Sequence, residues 1–276
     1  TEHRKGKTMT YDILVLDLDG TLTNSEKKIT PPTREALIEI QQNGKKVVLA
    51  SGRPTPGVVS LAKELHLGDY GSYILSFNGG KIINCSTGEA IYNKILPSEV
   101  TSAVYEIASQ YDVDLLTYTE HEILSGIKPN QYTELESKIN NMPIVRVENF
   151  PEAVTFPVNK FLITGEAALT EKIETLLKEK FHSLLNIYRS EPFFLEVMPQ
   201  NIDKAHSLQK LLNYLGMSAD QMICCGDGFN DLTMIEYAGL GVAMENAQPI
   251  LKKTADYITK SNDEDGVLHV INEFIR

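Results

Sequence analysis

The stretch Ile13-Leu14-Val15-Leu16-Asp17-Leu18-Asp19-Gly20-Thr21 decides the reading of this chain. Four consecutive apolar residues leave no polar face, the pattern of a strand buried on both sides, and the run stops where carboxylates, a glycine and a hydroxyl take over. A buried strand that empties into an acidic loop belongs to a parallel sheet with chemistry at its strand ends. Working outward, Pro31 and Pro32 open a helical pattern with Leu37 and Ile40 inward and Gly44 as its stop. Val47-Val48-Leu49-Ala50 is a second continuous apolar run, and strand, helix, strand is the βαβ unit. Ser51-Gly52-Arg53-Pro54 ends that strand, a helix through Leu61 and Leu65 follows, and Tyr73-Ile74-Leu75-Ser76 leads into Asn78-Gly79-Gly80, read as a tight turn that needs no function.

The texture changes at Lys81. Ile82-Ile83 and Ala90-Ile91-Tyr92 flank Ser86-Thr87-Gly88-Glu89 as a hairpin, so local pairing replaces crossover pairing. Helical spacing near Ser98 to Ile107, Thr133 to Ile139 and Leu169 to Leu177 alternates with strand candidates at 115–118, 122–125, 160–164, 186–189 and 194–197. That is an α+β segment with an antiparallel sheet. After Pro199 the βα rhythm returns: Leu208, Leu211, Leu212 and Leu215 make an amphipathic helix closed by Gly216, and Met222-Ile223-Cys224-Cys225 is a buried strand ending at Gly226-Asp227-Gly228. The expected class is therefore α/β, with a parallel-sheet core over residues 9–82 and 198–276 and an inserted α+β unit over 83–197.

Composition narrows the function. The 276 residues carry 26 Lys and Arg against 37 Asp and Glu, a formal charge of −11. An acidic chain lacks the clustered cations that hold a phosphodiester backbone, so nucleic acid is not an expected partner. No apolar run approaches the roughly 20 residues that span a bilayer, and none resembles a signal peptide, so no membrane partner and a cytoplasmic setting are expected. Cys85, Cys224 and Cys225 are expected to be reduced, the adjacent Cys224 and Cys225 as buried thiols. Thr1 to Thr8 are polar and mostly basic and read as a loose tail.

Strand ends are where an open α/β sheet keeps its site. They carry Asp17 and Asp19, then Ser51 with Gly52, then Asp227 with Asn230 and Asp231, and Lys204 stands at a helix start. Carboxylates from two strands meeting in one crevice repel, and a cation relieves them. An oxygen-only cluster, with no His or Cys at ligand spacing, favours Mg²⁺. Phosphoryl transfer uses every piece, because its catalysis is mostly positioning and charge neutralisation. Taken singly, Ser51 also reads as a strand-end cap and Lys204 as a solvated helix-start lysine. Arg53 reads equally as a substrate contact or a surface pair. His121 and His206 read as isolated histidines, and Tyr118, His121 and Glu122 approach a leaving group by location alone.

Asp17-Leu18-Asp19-Gly20-Thr21 resembles the D-x-D-G-T signature of the haloacid dehalogenase-like (HAD) hydrolases, and Gly226-Asp227-Gly228-Phe229-Asn230-Asp231 resembles the G-D-G-x-N-D signature of their Cof-type phosphatases. Ser51-Gly52-Arg53 is similar to the second motif, and Lys204 within Pro199 to Ala205 to the third, although the family often has glycine where Asn201 and Ala205 stand. The resemblance covers nearly the whole chain. It implies a Rossmann-like core with an α+β cap, and hydrolysis of a small phosphorylated metabolite, a sugar phosphate or similar, by a monomer or small homo-oligomer. It implies Asp17 as a nucleophile forming a phosphoaspartate and Asp19 as general acid and base. Mg²⁺ would be held by Asp17, the Asp19 backbone carbonyl and Asp227, and phosphate by Ser51, Lys204 and Asn230, with Gly52 and Asp231 in support. The rival expectations are a phosphotransferase or mutase of the same superfamily and a non-catalytic, Mg²⁺-dependent binding module.

Overall fold

The computed structural model describes residues 10–276, so the tail Thr1 to Thr8 and the expected core start at residue 9 lie outside the described residues. The first part of the chain forms β1 (Ile13–Leu16), α1 (Pro31–Gln42), β2 (Lys46–Ala50), α2 (Pro56–Glu64), β3 (Tyr73–Ser76), β4 (Lys81–Asn84) and β5 (Ala90–Asn93). The middle part forms α3 (Val100–Ala108), β6 (Asp114–Tyr118), β7 (Ile123–Ser125), α4 (Gln131–Asn140), β8 (Ile144–Arg146), α5 (Phe150–Ala153), β9 (Phe161–Thr164), α6 (Ala167–Phe181), β10 (Leu185–Glu191) and β11 (Phe194–Pro199). The last part forms α7 (Lys204–Leu215), β12 (Met222–Gly226), α8 (Leu232–Tyr237), β13 (Leu240–Ala243), α9 (Pro249–Thr254), β14 (Tyr257–Ile258) and α10 (Gly266–Phe274). Among the described residues no helix is long and apolar enough to cross a membrane.

Two sheets result. The larger has the order β14-β13-β12-β1-β2-β3-β4-β5, parallel from β14 to β3. β1 lies at its middle with all four residues buried, which is why the sequence could spend no polar residue there. The chain leaves β1 toward β2 on one side and returns to β12 on the other, so the strand order reverses beside β1, and the crevice beyond those carboxyl ends is where side chains from separate motifs converge. Register brings them level: Leu16 pairs with both Leu49 and Cys225, so Asp17 follows beside Ala50 and Gly226.

The smaller sheet, β10-β11-β9-β6-β7-β8, is antiparallel as expected apart from the one parallel pair β7–β8. β8 and α5 went unread because one is three half-exposed residues and the other a single turn at Pro151, neither long enough to show a period.

Strand pairing runs across both expected boundaries, 82/83 and 197/198. The β4–β5 hairpin extends the larger sheet, with Leu75 opposite Ile82 and Ser76 opposite Lys81, and Met198 and Pro199 still pair with β10 in the smaller one. A hairpin announces its own pairing in sequence but not the sheet it will join, since that depends on a third strand. The two crossings between sheets run side by side, the Lys94 ammonium donating to the Gln200 carbonyl; Asn159 Nδ2, just before β9, donates to the Lys94 carbonyl at 3.2 Å.

Each sheet has its own apolar core, and a third cluster joins them, in which Phe77 and Ile202 meet Leu116, Tyr118, Phe194 and Met198 of the inserted segment. A second bridge brings α2 against α4. Between these two contacts the smaller sheet roofs the carboxyl ends of the larger.

Candidate active site

The roofed crevice is a cavity of about 710 Å³ whose floor includes Asp17, Asp19, Ser51, Gly52, Arg53, Asn78, Asp227 and Asn230. Lys204 lies beneath the floor, wholly buried, at the first turn of α7. Its ammonium donates to Asp17 Oδ1 at 2.8 Å, to the Ala50 carbonyl at 2.9 Å and to Asp231 Oδ1 at 2.6 Å. An ammonium has three donors, so Lys204 is fully used by the protein, and it ties the ends of β1, β2 and β12 together. The reading of Lys204 as a solvated lysine is corrected: a helix-start lysine is exposed by default, and only the tertiary neighbours bury it.

What holds α7 there is the turn after β3. Gly79 has φ +106°, and a Cβ on it would come within 2.5 Å of the Asp203 carbonyl and 2.7 Å of Ser207 Oγ; the Ser207 hydroxyl donates to the Gly79 carbonyl. Asp203 caps α7 by accepting from the His206 amide at 2.8 Å. The tight turn at Asn78-Gly79-Gly80 therefore seats the helix that carries Lys204. Replacing Gly79 with Ala is expected to cost about 1–3 kcal/mol from the left-handed backbone and the clash together. Denaturant unfolding would show a lower midpoint, and turnover would fall as Lys204 shifts. At Asn201, where glycine is frequent in the family the motif resembles, φ is +58°, a conformation asparagine tolerates.

Asp231 Oδ2 accepts from the Asp227 and Gly228 amides, both at 3.0 Å, so its two oxygens serve Lys204 and the loop. Asp227 Oδ1 accepts from the Thr21 hydroxyl at 2.9 Å. One carboxylate oxygen from each of Asp17, Asp227 and Asp231 lies within 4.8 Å of the others. Burial above all, then the neighbouring Asp231 charge, pushes the Asp17 carboxyl well up despite Lys204; burial likewise raises Asp227. Three carboxylates around one ammonium leave two negative charges when ionised, in an oxygen-only donor set, which fits a hard divalent cation. With Asp231 engaged by Lys204 and the amides, Asp17 and Asp227 are the carboxylates left for such an ion.

Asp19 behaves differently. Arg53 donates to it from Nε at 3.0 Å and Nη2 at 2.6 Å, and Lys27 adds a contact at 3.1 Å. Burial pushes its carboxyl up, but the Arg53 hydrogen bonds and charge, with Lys27, outweigh this and hold it below the usual range. Arg53 thus pairs with Asp19, the sequence having left that open. Ser51 Oγ accepts from the Arg53 amide at 3.0 Å and has its own hydrogen to give; Asn230 Nδ2 donates to Asn78 Oδ1 at 3.2 Å.

The family model for haloacid dehalogenase-like hydrolases matches residues 14–271. The chain belongs to that family. A crystal structure of a haloacid dehalogenase-like hydrolase from Bacteroides thetaiotaomicron is 48% identical, superposes with a TM-score of 0.93 and covers 95% of this chain and 99% of its own. The HAD subclass IIB sugar phosphatase BT4131 is 26% identical with a TM-score of 0.78, over 95% and 98% of the two chains. The 5-amino-6-(5-phospho-D-ribitylamino)uracil phosphatase YcsE of Bacillus subtilis is 32% identical over 263 residues, 95% of each chain.

The roof of this hydrolase was largely missed in the sequence. Glu136, Asn140, Lys160, Tyr188, Arg189 and Glu196 line it, whereas Tyr118, His121 and Glu122 do not. Tyr118 is buried behind the wall with its hydroxyl on Glu136 Oε1 at 2.8 Å, and His121 is exposed at the β6–β7 turn. A signal existed: Glu196 interrupts the apolar strand Phe194-Leu195-Glu196-Val197-Met198, and Lys160 directly precedes Phe161-Leu162-Ile163. A charge inside a buried strand asks for a partner.

Proposed function

We propose that this phosphatase of the HAD family hydrolyses small phosphomonoesters, sugar phosphates or related metabolites, in an Mg²⁺-dependent reaction through an aspartyl-phosphate. The observation that carries the reading is the Lys204-centred knot, which presents Asp17 at the cavity floor beside Asp227. Asp17, the Asp19 backbone carbonyl and Asp227 would hold Mg²⁺, which offsets charge on the phosphoryl oxygens.

Lys204 fixes the rotation of the Asp17 carboxylate and neutralises part of its charge, so that an oxygen faces the cavity as a nucleophile. Attack forms the Asp17 oxygen–phosphorus bond as the ester phosphorus–oxygen bond breaks, and Asp19 gives a proton to the departing oxygen. A water then attacks the phosphoaspartate, Asp19 takes its proton, and inorganic phosphate leaves. Held by Arg53, Asp19 is better prepared to accept that proton than to donate the first, so the donating step requires it to leave the guanidinium. The Ser51 hydroxyl and Asn230 amide supply hydrogen bonds to the phosphoryl oxygens, with Gly52 alongside; Lys204 contributes charge until one of its three bonds is exchanged for phosphate. The segment from α3 to β11 serves as a cap that keeps bulk water from the intermediate.

The test is a panel of phosphorylated metabolites assayed for inorganic phosphate with Mg²⁺, with EDTA, and with Mg²⁺ restored. Phosphate release that EDTA abolishes and Mg²⁺ restores, with no added acceptor, is the expected result. Substrate consumed only with an added hydroxyl compound, its phosphoryl group ending on that acceptor rather than as inorganic phosphate, would make the enzyme a phosphotransferase, and full activity in EDTA would remove the metal from the reading.

A further inference from the structure

The roof holds ionisable groups that the phosphoryl chemistry does not use. Lys160, Glu196 and Glu136 are 4%, 8% and 6% exposed, and all three line the cavity. Lys160 Nζ lies 3.1 Å from Glu196 Oε2 and 5.3 Å from the centre of the Tyr118 ring. The ion pair is close but not aligned as a hydrogen bond, for Glu196 Oε2 is buried with no hydrogen-bond partner, while Oε1 accepts from Ser190 at 2.9 Å. Glu136, on the same wall, gives one oxygen to the Tyr118 hydroxyl.

A buried ion pair is a poor source of stability even when well formed. Here the polar groups are left incompletely satisfied, and they stand at the wall of a cavity. Such groups acquire partners when a ligand enters. The unfilled group is a Glu196 carboxylate oxygen beside the Lys160 ammonium, with the Glu136 carboxylate on the same wall. A hydroxyl is the ligand group that donates and accepts at once, so one hydroxyl can bridge Glu196 to Lys160 and a neighbouring one can donate to Glu136. Glu136, Glu191 and Glu196 against Lys160 and Arg189 leave the roof net negative, which disfavours a second phosphate or carboxylate on the ligand. An apolar ring would bury these groups with nothing to pair them.

We propose that Lys160, Glu196 and Glu136 form the leaving-group subsite of this phosphatase, and that it selects an uncharged leaving group carrying adjacent hydroxyls. This rests on the phosphatase reading above and assigns it a specificity.

The test compares kcat/KM, with Mg²⁺, for the parent, Glu196→Gln, Glu136→Gln and Lys160→Met. The substrates are ribitol 5-phosphate, sorbitol 6-phosphate and glucose 6-phosphate as hydroxylated monophosphates, fructose 1,6-bisphosphate, and p-nitrophenyl phosphate, whose leaving group needs no subsite. The parent is expected to prefer at least one hydroxylated monophosphate over the bisphosphate by about 10-fold or more. The variants should lose about 10–100-fold on that substrate, mainly through KM, and stay within about 3-fold of the parent on p-nitrophenyl phosphate, which also shows that they fold. The dephosphorylated polyol should inhibit the parent competitively and the variants less. Equal losses on both substrate types in all three variants would make the residues structural and overturn the proposal, as would unchanged kinetics throughout. A parent inactive on every substrate, p-nitrophenyl phosphate included, would instead overturn the phosphatase reading and the subsite with it.

Discussion

Asp17→Asn is expected to lower kcat by about 10³-fold or more while the protein stays folded, which corresponds to roughly 4 kcal/mol of lost transition-state stabilisation. The amide cannot attack phosphorus, and it withdraws one of the two carboxylates open to the cation. It can still accept from Lys204, so the knot beneath the floor keeps its hydrogen bond. Stability should move the other way. Burial and the Asp231 charge raise the Asp17 carboxyl, so its ionised form opposes folding at neutral pH in metal-free protein, and an uncharged isostere relieves that cost. Phosphate release together with urea unfolding in EDTA separates the two effects. The expected pair of results is a near-inactive variant with an unfolding midpoint at or above that of the parent. Near-parental turnover would remove Asp17 as nucleophile, and a lower midpoint would mean that its charge supports the fold.

Lys204→Met is expected to be damaging on both counts. The side chain is wholly buried and is the cation shared by Asp17 and Asp231, so its loss leaves two carboxylates facing each other across the ends of three strands. Removing one partner of a buried charge set costs about 3–5 kcal/mol, a large part of what a domain possesses. Turnover should fall by about 10²-fold or more as Asp17 loses its anchor. Lys204→Arg should rescue neither, because the planar fork is larger than the slot between Ala50, Asp17 and Asp231. Denaturant unfolding and kcat on one substrate suffice; a variant with parental stability would mean that the acids are compensated from elsewhere.

The parts of this molecule legible in sequence are those whose physics is local. Ile13–Leu16 and Met222–Gly226 had to be buried parallel strands because no residue in them offers a wet face, and Asp17 and Asp227 were visible as carboxylates at their ends. Lys204 was legible only through its place in the series, since its burial depends on β1, β2 and β12 arriving together. What stayed hidden depends on partners distant in sequence. Arg53 could not be assigned to Asp19, 34 residues away, from either side chain alone. The β4–β5 hairpin displayed its own turn but not its attachment to β3. Lys160 and Glu196 became meaningful once β9 and β11 were neighbours over a cavity.

The paired crossings at Lys94 and Gln200 have a consequence for the history of such a chain. Entry and exit are tied to each other, so the chain enters and leaves the inserted block at a single edge beside β5. Exchanging that whole block for another, or for a short turn, would leave each strand of the larger sheet with its present neighbours. Mutation in that block would change what covers the crevice while the Lys204 bonds beneath it kept their places, and a gene acquiring a different insert at this edge would inherit the floor of the crevice intact.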